Sequence, residues 1–280
     1  MVVTFNNFSH FQIFGISFIN LELIKTMSRN LSILPNSLTV GNMFFGFWSI
    51  ISSIEGDYEW AAYFIIIGGI CDALDGKVAR LVNSTSDFGV QFDSLADIIT
   101  FGTAPSVLMY MLYKNIYLLK YPGLEEFAHL IFIVSFFPLL FGGIRLARFN
   151  SELVGHNKEA FSGLPIPASA MTIVAFVLYE LEVYGEIKHL KWLTFTSIVV
   201  SYLMVSRVVY HGFPVLFSKE DKPLIKYFKM LLIVVIISLI VKFKMSLLFP
   251  VMIIFILTGV IRSVLGRFKK EIKKAENERE

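Results

Sequence analysis

The sequence predicts an all-α fold, a polytopic transmembrane helix bundle of about eight spans, and three observations predict it. The 280 residues are 55% hydrophobic and only 17% charged, with a mean hydropathy of +0.67, well beyond the apolar share of a soluble domain. Apolar runs near the ~20 residues that a helix needs to cross a bilayer recur along the chain. Lysines and arginines gather in alternate connections, as the positive-inside rule requires of a protein threaded through a membrane.

The runs fall at about 35–54, 58–80, 94–113, 126–147, 166–184, 190–210, 224–241 and 245–264. They divide into a six-span core and a C-terminal hairpin turned at Lys242, Phe243 and Lys244. The expected divisions are an N-terminal segment over 1–30, a catalytic transmembrane core over 31–212, an additional transmembrane hairpin over 213–264 and a charged tail over 265–280. Phe5, Phe8, Phe11, Phe14 and Phe18 make the first 26 residues either an interfacial helix or the product of an upstream start, with Met27 as the alternative initiator. With the amino terminus inside, 19 of the 25 basic residues lie on the cytoplasmic face. The far connections instead carry Glu55, Asp57, Glu59, Glu125, Glu126, Glu180, Glu182 and Glu186. Both termini are therefore expected in the cytoplasm.

One cysteine excludes an intrachain disulfide framework, and no Cys/His spacing fits zinc. Cys71 reads as a small packing residue. The basic residues border spans and accompany no recognisable nucleic-acid module, so no nucleic-acid partner is expected.

Against this apolar background, five of the seven aspartates fall between positions 72 and 97. Asp72 and Asp75 are one helical turn apart, as are Asp93 and Asp97, so each pair shares a face. Asp72 lies 14 residues into the second span, roughly 21 Å along its axis, which places the pair in the inner leaflet near the surface. A carboxylate there is costly unless a cation or a water-filled cavity receives it. Two carboxylate pairs on neighbouring helices suit hard divalent cations, magnesium or manganese rather than zinc. Gly76 and Ala79 leave room for a ligand or a neighbouring helix, and Arg80 carries a planar fork suited to phosphate. Asp87 lies in the polar loop expected over 81–92 and reads as a solvated cap.

Asp72, Asp75, Gly76, Ala79, Arg80, Gly89, Asp93 and Asp97 fill all eight fixed positions of the signature of the CDP-alcohol phosphotransferases, at its spacing. The chain is therefore identified by resemblance as a member of that family. Four further blocks resemble its phosphatidylserine-forming branch: Leu34 through Asn42, Asp93 through Pro105, Arg145 through Asn150, and Phe161 through Pro167.

The resemblance implies transfer of a phosphatidyl group from CDP-diacylglycerol to serine, with release of CMP, in a bacterial-type cytoplasmic membrane with the active site facing the cytosol. It implies that Asp72, Asp75 and Asp93 hold metal and that Asp97, beside them in the metal set, is the general base. It implies that Gly76, Ala79, Arg80 and Gly89 form the CDP pocket with Asp72. Asn36, Thr39 and Asn42 recur at three-residue steps on one face of the first span, and the same likeness assigns them to that pocket. Arg145 and Arg148 are candidates for the lipid phosphate or the acceptor carboxylate, or else for snorkelling at the membrane boundary. Gly163, Pro165 and Pro167 read as a stiff architectural turn. Gly102 and Pro105 are expected to bend the third helix. A homodimer is expected at family level only.

Other acceptors within the class, glycerol 3-phosphate, inositol phosphate or choline, remain open, as does a covalent aspartyl-phosphate route. An ion or proton transporter would need acidic or broken-helix positions reaching the far half of the bilayer, and few are present.

Overall fold

A computed structural model describes residues 33–81, 86–118, 128–154, 163–208, 210 and 244–277. Among them every regular element is helical. In chain order these are α1 (Ile33–Glu55), α2 (Tyr58–Leu81), α3 (Asp87–Asp97), a π-helical segment (Ile98–Thr103) and α4 (Ala104–Leu112), which runs into a second π-helical segment (Tyr113–Leu118). There follow α5 (Ala128–Val154), α6 (Ile166–Tyr184), α7 (Leu190–Val205) and α8 (Leu248–Asn277). Five helical stretches are long and apolar enough to cross a membrane: Leu34–Glu55, Asp87–Ile116, Leu130–Ser151, Ile166–Tyr184 and Met245–Gly266. Leu190–Val205 is apolar but shorter. The protein is an integral membrane helical bundle, and the expected span at 224–241 and the segment over 1–30 lie outside the described residues.

The bundle has two distinguishable ends. At one end, backbone N–H groups of Gly163 and Leu164 donate to the carbonyls of Val208 (2.8 Å) and Leu203 (2.9 Å). Gly163 adopts φ 107° there, and a Cβ on it would run into the Met204 carbonyl. Only glycine accepts that backbone without strain, so the stiff turn expected from Gly163, Pro165 and Pro167 ties the start of α6 to the end of α7. Ser94 and Asn150 exchange hydrogen bonds of 3.3 and 3.1 Å at the same end, joining α3 to α5.

At the opposite end, Tyr58 donates to the Met111 carbonyl at 3.3 Å and accepts from Asn115 at 2.9 Å. Glu180 and Glu182, expected in a far connection, instead occupy the last turns of α6. Glu180 is 2% exposed; its Oε2 accepts from the backbone N–H groups of Lys188 and His189, both at 2.9 Å. Glu182 accepts from the Ser246 N–H at 2.7 Å. Orphan donors near two chain entries explain why carboxylates turn inward there rather than face solvent.

Two expectations about boundaries are corrected. The loop expected over 81–92 is shorter, because α3 begins at Asp87 and its cap is Ser86, whose Oγ accepts the Gly89 N–H at 3.0 Å. The third membrane crossing is irregular where Gly102 and Pro105 fall. It widens into a π turn in which the Ala104 N–H reaches the Ile99 carbonyl five residues back. The 190–210 run stops helically at Val205, and Tyr210 beyond it is 8% exposed. Its ring fills the space left by Gly259 of α8 and lies against Phe255.

The core follows from side-chain volume. Phe101, Leu108, Met109, Leu164, Ile173, Leu193 and Met204 are fully or almost fully buried where the central crossing, α6 and α7 meet. Outward positions carry Phe44, Phe47, Trp48, Trp60, Phe132, Trp192 and Phe195. Large apolar residues pointing out are expected of a lipid-facing surface.

Candidate active site

The site is built where α1, α2 and α3 converge at the end marked by the Gly163 turn. Asp72 and Asp75, one turn apart on α2, meet Asp93 of α3. One carboxylate oxygen from each lies within 4.8 Å of the others. Asp75 is 4% exposed, and the Thr39 hydroxyl of α1 donates to its Oδ2 at 2.7 Å. Asp93 Oδ1 is buried without a hydrogen-bond partner. An orphan carboxylate oxygen beside two further carboxylates is expensive in a membrane unless a cation satisfies it. The donor set is all oxygen, which fits a hard divalent ion. The cluster can therefore bind a metal.

Beside these aspartates lies a cavity of about 110 Å³, lined by Pro35, Asn36, Thr39, Asp75, Gly76, Ala79, Ser86, Gly89, Val90 and Asp93. Five of the residues expected around CDP thus share one wall: Asn36, Thr39, Gly76, Ala79 and Gly89. Gly89 keeps the mouth open, since a Cβ there would sit 3.2 Å from Ser86 Oγ and 3.7 Å from Asn36 Oδ1. Arg80 belongs to the last turn of α2, and its side chain is outside the described residues.

Asp72, expected to touch CDP, is not among the residues lining the cavity, and Asp97 and Asn42 lie apart from it as well. Asp97 is 9% exposed and Asn42 is fully buried; neither lines the cavity. Asn42 Nδ2 donates to Asp97 Oδ1 at 3.2 Å, so Asn42 meets a carboxylate rather than the pocket wall expected for it. Asp97 remains close enough to Asp72, Asp93 and Asp75 to interact electrostatically, though it is outside the three-carboxylate cluster.

Arg145 and Arg148 also separate. Arg145 is half-buried within electrostatic reach of Asp97, whereas Arg148 is exposed. Residues three apart on a helix differ by about 60° around its axis, enough at a boundary to divide one toward the core from one toward solvent. Sequence reasoning missed the Asn42–Asp97 bond, the Ser94–Asn150 tie and the lining by Pro35, Ser86 and Val90. A signal existed for Ser86, because Ser before Asp-Phe-Gly reads as an N-cap. The others join distant positions that no local pattern connects.

An all-helical membrane bundle with three converging aspartates at one end defines an integral membrane protein with an acidic, cavity-flanked site. The family model described as CDP-alcohol phosphatidyltransferase matches residues 32–209, and the chain belongs to that family. It is 35% identical over 235 residues to the CDP-diacylglycerol–serine O-phosphatidyltransferase of Helicobacter pylori, covering 83% of this chain and 91% of that protein. It is 32% identical over 180 residues to the Bacillus subtilis protein of the same name, covering 64% of this chain and 90% of the relative. A third relative, the archaetidylserine synthase of Methanothermobacter thermautotrophicus, is 36% identical over 179 residues, 63% of this chain and 69% of its own length.

Proposed function

We propose that this membrane enzyme transfers the phosphatidyl group of CDP-diacylglycerol to L-serine, giving phosphatidylserine and CMP. The convergence of Asp72, Asp75 and Asp93 beside a cavity walled by Asn36, Thr39, Gly76, Ala79 and Gly89 carries the reading. The names of relatives that cover most of the chain supply the acceptor.

Asp72, Asp75 and Asp93 would hold magnesium or manganese, which supplies charge neutralisation at the diphosphate. The rest falls to the protein. Thr39 holds the Asp75 carboxylate in place. The small residues Gly76, Ala79 and Gly89 let the nucleotide end of the lipid approach the backbone. Asp97 accepts the proton of the serine hydroxyl as its oxygen bonds to the phosphorus bearing the diacylglycerol. The bond from that phosphorus to the CMP oxygen breaks, and CMP leaves with the electron pair. Arg145, beside Asp97, is placed to receive an anionic group of donor or acceptor; the exposed Arg148 belongs to the boundary. Residues 31–212 are the catalytic core, followed by an additional hairpin and a charged tail. The distribution of basic residues supports a cytosolic site and cytoplasmic termini, and a homodimer belongs to the same proposal.

The test is CMP release by the purified protein from CDP-diacylglycerol with serine, glycerol 3-phosphate, inositol phosphate or choline, with and without magnesium or manganese. Turnover is expected with serine and a divalent ion. Asp97→Asn is expected to reduce turnover to a small residual rate while retaining CDP-lipid binding, and Asp75→Asn to weaken the response to metal as well. Wild-type activity in both variants defeats the assignment, and retention of configuration at phosphorus would establish the two-displacement route instead.

A further inference from the structure

Three helices meet on one buried carboxamide next to Asp97. Asn42 of α1 is fully buried, and its side-chain N–H donates to Asp97 Oδ1 at 3.2 Å. Its own Oδ1 is buried with no hydrogen-bond partner. Thr100, also fully buried, lies in the π-helical segment just beyond Asp97 and donates its hydroxyl to the Asn42 backbone carbonyl at 2.8 Å. Gly68 of α2 makes the space: a Cβ there would lie 2.7 Å from Thr100 Cγ2 and 3.1 Å from Asn42 Oδ1. Gly46 of α1 makes the same allowance for the Thr100 side chain.

An orphan amide carbonyl in an apolar seam opposes folding, so leucine, which has the same branched side-chain skeleton without polar atoms, would remove that cost. What leucine lacks is the N–H that meets Asp97. The π turn adds a residue to the helix at this level, and that placement brings Thr100 onto the α1 backbone while Asp97 stays on the Asn42 side.

We infer that Asn42 is a positioning residue for catalysis: its side-chain amide, carried on a backbone that Thr100 anchors and walled by Gly68, fixes the orientation of the Asp97 carboxylate toward the acceptor hydroxyl. The inference rests on Asp97 being the general base and differs from the nucleotide-pocket role that sequence resemblance assigns to Asn42. A base with a free rotamer spends most of its time misaligned, so the loss belongs in turnover rather than donor binding.

The experiment uses the full chain in lipid nanodiscs with CDP-diacylglycerol, serine and magnesium, comparing wild type, Asn42→Leu, Thr100→Val, Asp97→Asn and the Asn42→Leu/Asp97→Asn double variant. Asn42→Leu should lower kcat by about 10- to 100-fold, the range typical of supporting hydrogen bonds. KM for CDP-diacylglycerol and the magnesium activation constant should stay within about twofold. Thr100→Val should lower kcat in the same direction by a smaller factor. In the Asp97→Asn background, Asn42→Leu should cost almost nothing further, because it acts only through that carboxylate. The proposal is overturned if Asn42→Leu keeps wild-type kcat, if it raises KM for the donor with kcat unchanged, or if its loss adds in full to that of Asp97→Asn. Should the leucine variant fail to fold, Asn42→Ala is read by the same criteria. An Asp97→Asn variant as active as wild type would instead sink the general-base assignment, a different result from an active Asn42→Leu beside an Asp97→Asn at its residual rate.

Discussion

Thr39 is the residue whose single hydrogen bond has the clearest consequence. Its hydroxyl sits 2.7 Å from Asp75 Oδ2, nearer than the Pro35 carbonyl of its own helix at 3.2 Å, so its one proton goes to the carboxylate. Thr39→Val keeps the shape and removes the donor. Groups that orient a metal-binding carboxylate typically affect metal affinity or activity by about 10- to 100-fold. The magnesium concentration for half-maximal activity should therefore rise roughly tenfold, as measured by titrating metal against CMP release; an unchanged titration would remove Thr39 from the site. Here the sequence is half legible. The three-residue steps of Asn36, Thr39 and Asn42 show that they share a face, and two of them do line the cavity. The third does not, because one further turn along α1 carries Asn42 below the cavity to the level of Asp97.

Among the elements, the junction of α1, α2 and the π segment is set by glycines rather than by large side chains. Gly68 faces Thr100 and Asn42 so closely that a methyl group would force one of them aside. Overpacking of this kind costs about 1–3 kcal/mol. Gly68→Ala should lower the apparent unfolding temperature in detergent by several degrees, whereas Gly143→Ala should leave it unchanged or slightly raised. The nearest neighbour to a Cβ at Gly143 is Ile98 Cδ1 at 3.7 Å, an ordinary contact, and alanine is the better helix former. Equal destabilisation of the two variants would show that the junction is not tight. The expected kink at Gly102 and Pro105 was a reasonable reading of helix breakers. The chain accommodates them with a π turn, which leaves the missing Pro105 N–H without consequence and keeps the crossing helical throughout.

At the scale of the whole molecule, alternate chain ends gather on one face. The aspartates, the Ser94–Asn150 tie, the Gly163 turn and Tyr210 lie at one end, and Glu180, Glu182, His189 and Ser246 at the other. The proposed orientation puts the first end in the cytosol. In a Cys71→Ser background, cysteine introduced at Lys188 should react with a membrane-impermeant maleimide applied to intact cells, and cysteine at Arg207 should react only after permeabilisation. The reverse pattern would place the aspartates outside. The last helix extends the same end: α8 runs without interruption from Leu248 to Asn277. It therefore continues past the apolar stretch that ends at Gly266 into the charged tail expected over 265–280.

Composition, hydropathy and charge placement by themselves determined that this is a helical membrane protein. The spacing of eight motif residues determined its family and singled out the aspartates proposed as its site. These features are legible because membrane insertion and helical periodicity act on local sequence, where each residue's contribution depends on its neighbours along the chain. Tertiary structure alone decided which aspartates cluster, that Asn42 meets Asp97 and Arg145 parts from Arg148, and that Thr100 wedges against Gly46 and Gly68. Those outcomes depend on how far each helix is rotated and shifted against its neighbours, and packing at contact distance between segments dozens of residues apart sets that rotation.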